Sequence, residues 1–181
     1  MHSKIIKQFI LAVLAAFIIV GAVFAQNAEE LAPPVIPCAE IQVPDGQKLQ
    51  RRLYAIGVQI YRWNGSAWAF VAPEAGLFAD PSFNGQVGTH YAGPTWEENN
   101  GGKVVAARVN GCSPDSGSIA WLLLEAVDNE GPGVFGRTSY IQRVNTVAGI
   151  APQRAGLYVG EEVRMPYTTE YLFYVEKRDR N

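Results

Sequence analysis

The sequence predicts an all-β fold: a single antiparallel β-barrel or β-sandwich of about eight strands, with few or no helices. Three observations carry that expectation. Apolar and polar residues alternate over short runs, as in Tyr54-Ala55-Ile56-Gly57-Val58-Gln59-Ile60-Tyr61. Clusters of Gly, Asn, Asp and Pro separate these runs at short intervals. No segment beyond residue 25 carries a convincing amphipathic helical period. The 181 residues are 48% hydrophobic and 18% charged, which supplies one packed core and excludes disorder.

The first element reads as an address. Lys4 and Lys7 precede an apolar run from Phe9 to Ala25 that ends in Val23-Phe24-Ala25 before the polar Gln26. A basic start, an apolar centre and small residues at the end describe a secretory signal peptide over residues 1–25. The run is shorter than the about 20 residues a membrane span needs. The expectation is an exported protein, periplasmic or extracellular, with no stable membrane span after cleavage. Residues 26–48 follow as a lead-in containing Pro33, Pro34, Pro37 and Pro44, ending in an edge strand at most. Residues 49–181 form the β domain.

Within that domain the strands follow in order. After the alternating run around Tyr54, Asn64-Gly65 matches a two-residue hairpin turn between Trp63 and Trp68. The return strand stops before Pro73. Thr89 to Glu98 is extended and aromatic, Asn99-Asn100-Gly101-Gly102 turns, and Lys103 to Val109 returns. Ile119 to Val127 is nearly continuous in apolar character and is the one segment where a short helix is the alternative; its turn residues on both flanks and its length favour a buried strand. Ser139 to Val147 and Thr169 to Lys177 complete the set, rich in Tyr, Ile, Val and Phe.

Cys38 and Cys112 are the only cysteines. Export would place them in an oxidising compartment, where an even count suggests a disulfide; two separate thiols are the alternative. Neither has a second Cys or a His at metal-ligand spacing, so no metal site is expected. A formal charge of −2 and a pI near 5.7 leave no electrostatic footprint for nucleic acid. Gly131-Pro132-Gly133-Val134-Phe135-Gly136 has the spacing of a dinucleotide-binding loop, but a strand follows it where that loop requires a helix. It reads as a turn, and no cofactor is expected.

Chemistry-bearing residues are few. His90, with Glu97 nearby, is the weak candidate for acid–base catalysis, and no Gly-x-Ser-x-Gly elbow supplies a nucleophile. Polar residues inside good strands are more informative. Gln59 and Tyr61 share a strand face, and Gln142 and Arg143 interrupt an apolar run, so these could line a polar lumen or mouth. Trp63, Trp68 and Trp96 each lie beside a turn, where exposed rings could stack on envelope carbohydrate.

The motifs Gly57-Val58-Gln59-Ile60-Tyr61, Gly88 to Glu97, Ala120-Trp121-Leu122-Leu123, Ile141 to Thr146 and Pro166 to Tyr171 resemble, in order, those of the domain of unknown function 3455 family. The resemblance implies an exported all-β domain of unestablished biochemical role. It also implies a cysteine just after the first of these motifs and another after the Ala-Pro segment. Here those places hold Trp63 and the residues around Ala155-Gly156, so Cys38 and Cys112 would be a relocated pair. The sequence favours a non-catalytic domain that binds an envelope component or small ligand through Gln59, Tyr61, Trp96, Gln142 and Arg143. The alternatives are a hydrolase-like enzyme using His90 and Glu97, and a structural envelope protein without ligand.

Overall fold

The computed structural model describes residues 31–178. The expected signal segment lies outside them. Eight strands follow in chain order: β1 Gln47–Trp63, β2 Trp68–Phe78, β3 Gln86–Tyr91, β4 Thr95–Glu98, β5 Lys103–Cys112, β6 Trp121–Glu130, β7 Tyr140–Ala148 and β8 Glu162–Glu176. Each pairs antiparallel with its sequence neighbour, and β1 pairs with β8, so the sheet closes into a barrel. The all-β expectation holds, and of its two forms the barrel is the one adopted. The described residues contain only two short 3₁₀ turns, Ala39–Ile41 and Phe135–Arg137.

Alternation along the strands divides two clusters of apolar side chains. Leu53, Ala55, Leu77, Trp96, Val104, Ala106, Leu124, Ile141, Tyr171 and Phe173 point inward and pack together with Phe135. The glycine-rich segment that superficially resembles a phosphate loop delivers Phe135, which is fully buried with its ring 4.5 Å from that of Phe173. Residues 131–137 thus plug one end of the barrel. Gly136 has no room for a side chain, because a Cβ there would lie 2.0 Å from the Gly131 carbonyl oxygen.

The second cluster lies on the outer face of β6, β7 and β8. Leu123, Val144, Leu172 and Tyr174 are covered there by Ile36, Ile41 and Val43 of the lead-in. From residue 31 to Gly46 the lead-in forms no strand and lies across the wall as irregular chain with one 3₁₀ turn; its last two residues, Gln47 and Lys48, already belong to β1. Its four prolines remove the backbone donors a strand would need. Cys38 is disulfide-bonded to Cys112 at the end of β5, clamping the segment in place.

Three local expectations are corrected. The β1–β2 turn has four residues instead of two, because the Asn64 side-chain oxygen accepts the amides of Ser66 and Ala67. β2 runs through Pro73, which pairs with Gln59. β3 joins β2 only from Ala75 onward, so the missing Pro73 N–H removes no bond to a second neighbour. The stretch from Thr89 to Glu98 is a hairpin, with His90 opposite Trp96 and a turn at Ala92-Gly93-Pro94. Gly93 has φ +109, a conformation that favours glycine.

Trp63 and Trp68 pack ring to ring at 5.5 Å beneath the connection from β7 to β8. A Cβ on Gly156 would lie 2.2 Å from the Trp63 ring, so Trp63 presses directly on Gly156. The two places where the family resemblance implies cysteines are therefore in contact, filled here by a large ring over a glycine.

The clamp gives a first prediction. The two cysteines lie 74 residues apart in sequence. On the chain-entropy model the C38S/C112S double variant loses about 4 kcal/mol of stability, measured as a lower denaturant midpoint. An unchanged midpoint would show that the outer cluster holds the lead-in without the bridge.

Candidate functional site

The end of the barrel opposite the Phe135 plug is unfilled. A cavity of about 440 Å³ lies there, lined by residues from the barrel wall and its loops. Closure brings Gln59 and Tyr61 of β1, His90 of β3, Trp96 of β4, Arg143 of β7 and Tyr171 of β8 to this one space. Its apolar wall includes Phe70, Val71 and Pro73 of β2, Pro94, and Ile119 and Ala120 of the β5–β6 loop. That loop is held by Thr146, whose hydroxyl donates to the Ile119 carbonyl at 2.6 Å, and by the Ala148 amide, which donates to Ser118 Oγ. A larger, shallower groove near the plugged end passes over Gln47, Glu125, Ser139 and Tyr140. There Ser139 is hydrogen-bonded to Gln47, and Tyr140 to Glu125.

Trp96 and His90 form the floor of the cavity. Their rings stack at 4.2 Å, and Tyr171 meets both edge-on, at 5.2 Å from His90 and 5.3 Å from Trp96. Trp96 is 1% exposed. The expectation of an exposed turn tryptophan is corrected: its position opposite His90 directs the indole into the lumen. His90 Nδ1 lies 2.8 Å from the Thr95 carbonyl oxygen, so the ring donates from Nδ1. Burial pushes its pKa down to about 3, because the charged ring would lose its hydration; the Thr95 bond opposes this, and the Arg143 charge adds to it. At neutral pH His90 is an uncharged imidazole.

Around this floor stand polar groups of two kinds. Tyr61 is satisfied, its hydroxyl donating to the Gly149 carbonyl at 2.8 Å. Arg143 donates from Nε and Nη2 to the Ala120 carbonyl, at 3.0 and 2.8 Å. Four other buried groups have no hydrogen-bond partner: Gln59 Nε2, Trp96 Nε1, Tyr167 Oη and Tyr171 Oη. Tyr167 approaches the Tyr171 hydroxyl and the Gln59 amide, and Tyr171 approaches Arg143, closely enough for weak hydrogen bonds that influence the tyrosine hydroxyls, yet none of the four atoms completes a hydrogen bond of normal geometry. Burial raises the pKa of both Tyr167 and Tyr171, so both hydroxyls stay protonated.

The residues expected from sequence divide between faces. Gln59, Tyr61, Trp96 and Arg143 line the cavity. Gln142 lies on the opposite face of β7, since neighbouring strand residues alternate. Its Nε2 donates to the Ile41 carbonyl at 2.7 Å, and its Oε1 accepts the Tyr174 hydroxyl, so it fastens the lead-in to the wall. His90 and Glu97 are not brought together. Glu97 accepts a 2.6 Å bond from the Tyr91 hydroxyl on the outer face, while His90 points inward. Trp68 donates its Nε1 to the Arg154 carbonyl at 2.8 Å, with the Arg154 guanidinium 5.4 Å above its ring. Among the described residues, no three His, Cys, Asp or Glu side chains gather as a metal site would require. No helix there is long and apolar enough to cross a membrane.

Two residues with unpartnered atoms escape the sequence reading: Tyr167 and Tyr171. The signal was present, since Tyr167, Thr169, Tyr171 and Phe173 fall on one face of a period-2 strand. Arg108, at the cavity's exposed rim, carries no such signal.

The family described as protein of unknown function (DUF3455) matches residues 44–175, spanning the whole ring of strands. The chain belongs to this family. No curated protein and no solved structure matches the chain. The matched region of this DUF3455 domain contains every residue of the cavity wall, whereas Cys38 lies before it.

His90 yields a second prediction. The unfolded chain protonates its imidazole near pH 6.5, while the folded chain does so only near pH 3. Between those values the unfolded state binds the extra proton, so stability falls as pH falls, by at most about 1.4 kcal/mol per pH unit. His90→Asn keeps a donor for the Thr95 carbonyl and removes the titration. Its thermal midpoint should fall less steeply than the wild type's on acidification; parallel curves would show that His90 is not the group responsible.

Proposed function

We propose that this DUF3455 domain is a non-catalytic binding module whose barrel lumen takes up a small molecule. One observation carries the reading: four buried polar atoms lack a hydrogen bond of normal geometry, three of them (Gln59 Nε2, Trp96 Nε1 and Tyr171 Oη) on residues lining a cavity of about 440 Å³ and the fourth, Tyr167 Oη, beside Gln59 and Tyr171. An unsatisfied buried polar group costs about 1–3 kcal/mol, a cost that a bound molecule would offset by completing the bonds. The volume falls within the range of small-molecule sites, and so does the mix of apolar wall and a few convergent polar groups. The separation of His90 from Glu97 removes the acid–base pair on which a hydrolytic reading would rest.

The domain is proposed to act outside the cytoplasm, on a component of the cell envelope or a small molecule found there. The signal-like pattern of residues 1–25 and the Cys38–Cys112 bridge support that location, because disulfides persist in oxidising compartments.

Two measurements test the binding reading. Titration calorimetry with 1-octanol should give saturable binding to the wild type. It should give none to Leu122→Trp, which fills the cavity from a partly exposed wall position. Octanol heats identical in both proteins would place binding elsewhere. Separately, Tyr171→Phe removes an unpartnered hydroxyl and should raise stability by about 1 kcal/mol by chemical denaturation. Lower stability would mean that the hydroxyl is already satisfied within the fold, and the reading would lose one of its four supports.

A further inference from the structure

We infer that the lumen recognises an organic anion, a carboxylate joined to an apolar body; this rests on the binding reading above and names the class of ligand. The inference comes from the sign of the charges and the direction of the hydrogen bonds. Two of the residues lining the cavity are cationic, Arg108 and Arg143, and no Asp or Glu lines it. Neither arginine has an acidic partner among the described residues. The six ion pairs found there are Arg51–Glu98, Arg52–Glu170, Arg62–Glu162, Lys103–Glu130, Arg154–Glu161 and Arg164–Glu74. Five arginines elsewhere, Arg51, Arg52, Arg62, Arg154 and Arg164, stand beside carboxylates, whereas the two at the cavity do not.

Arg143 is the stronger of the two. It is half-buried, its hydrogen bonds of normal geometry run to one neutral carbonyl, that of Ala120, and its other close polar neighbour is the uncharged Tyr171 hydroxyl. Its charge acts on Tyr61, His90, Tyr167 and Tyr171, so its field pervades the lumen. A cation removed from water without a counter-ion is costly, and a ligand carboxylate would supply one in a planar geometry suited to a guanidinium.

The unpartnered groups point the same way. Gln59 Nε2 and Trp96 Nε1 can only donate, and the hydroxyls of Tyr167 and Tyr171, kept protonated by burial, can also donate. A cluster of four donors beside an uncompensated cation suits an acceptor-only anion. A cationic ligand would be repelled by Arg143, and a purely donating one would leave the Gln59 and Trp96 donors unpaired. The rest of the wall, including Phe70, Val71, Pro73, Pro94 and Ile119, is apolar and suits a hydrocarbon or aromatic body.

The test compares two probes with the same chain length and different heads, octanoate and 1-octanol, by titration calorimetry at neutral pH on the disulfide-bonded protein. The expected result is octanoate binding at least about tenfold tighter than octanol to the wild type. Arg143→Gln should abolish that preference, lowering octanoate affinity at least about tenfold, to that of octanol for the same variant. Equal affinities in the wild type would overturn the anion inference and leave the binding reading standing. Failure of both probes to bind would overturn both. A preference that survives Arg143→Gln but disappears in Arg108→Gln would also overturn the assignment, moving recognition from the lumen to the rim. The wild-type comparison needs no variant, so a failure of Arg143→Gln to fold would leave the test decisive.

Discussion

Everything in this molecule depends on the pairing of β1 with β8. Without that seam the other seven pairings make an open ladder with two faces and two exposed edges. With it, alternate residues of eight strands are turned toward a single axis, and inside and outside become fixed by parity along each strand. Register at the seam runs from Gln47 opposite Glu176 to Arg62 opposite Glu162. A one-residue slip would exchange the inward row of Tyr167, Tyr171 and Phe173 for an outward one. On its other side β1 approaches β2 as closely: a Cβ on Gly57 would sit 2.1 Å from the Glu74 carbonyl oxygen.

The interior that results is divided between a packed core and a cavity. Toward the plug, Leu53, Val104, Phe135 and Phe173 fill the barrel as a conventional core. Toward the other end the same inward row turns polar, and its groups are incompletely paired. Folding alone would favour apolar residues in those places. Polar groups so situated are the usual mark of a site whose composition answers to something besides packing. The disulfide contributes on the other side of the wall, binding the lead-in over Leu123, Val144 and Leu172, so the clamp and the cavity act through opposite faces of the same strands.

Much of this was legible in the sequence, because the barrel is a local design. Strands that pair with their chain neighbours leave period-2 runs and turn residues in readable order, and Gln59, Tyr61 and Arg143 stood out as polar residues in otherwise apolar strands. Parity also limited the set in advance, since Gln142 and Arg143 are adjacent and cannot share a face. Which of the two points inward depends on what covers the outside, and Ile41, 101 positions earlier, has no local signature. The continuation of β2 through Pro73 was hidden for the same reason, because it depends on where β3 begins to pair. Tyr167 and Tyr171 were harder still: an inward tyrosine looks like ordinary core until its hydroxyl is found without a partner.

The late start of the β2–β3 pairing bears on how a molecule in the lumen would come and go. From Trp68 to Glu74, β2 is bonded to β1 alone, and the first β2–β3 pair is Ala75 with His90. Phe70 and Val71, both exposed, stand along that unzipped margin, with the Gly93-Pro94 turn also on the cavity wall. The wall therefore has a lateral slit closed by side chains and not by backbone bonds. Passage of a small molecule through it would need rotamer changes and small loop displacements, which are fast, and would break no β2–β3 backbone bond. A molecule bound as proposed would then be held in the lumen by the contacts it makes there, with side chains and not paired backbone between it and solvent along that margin.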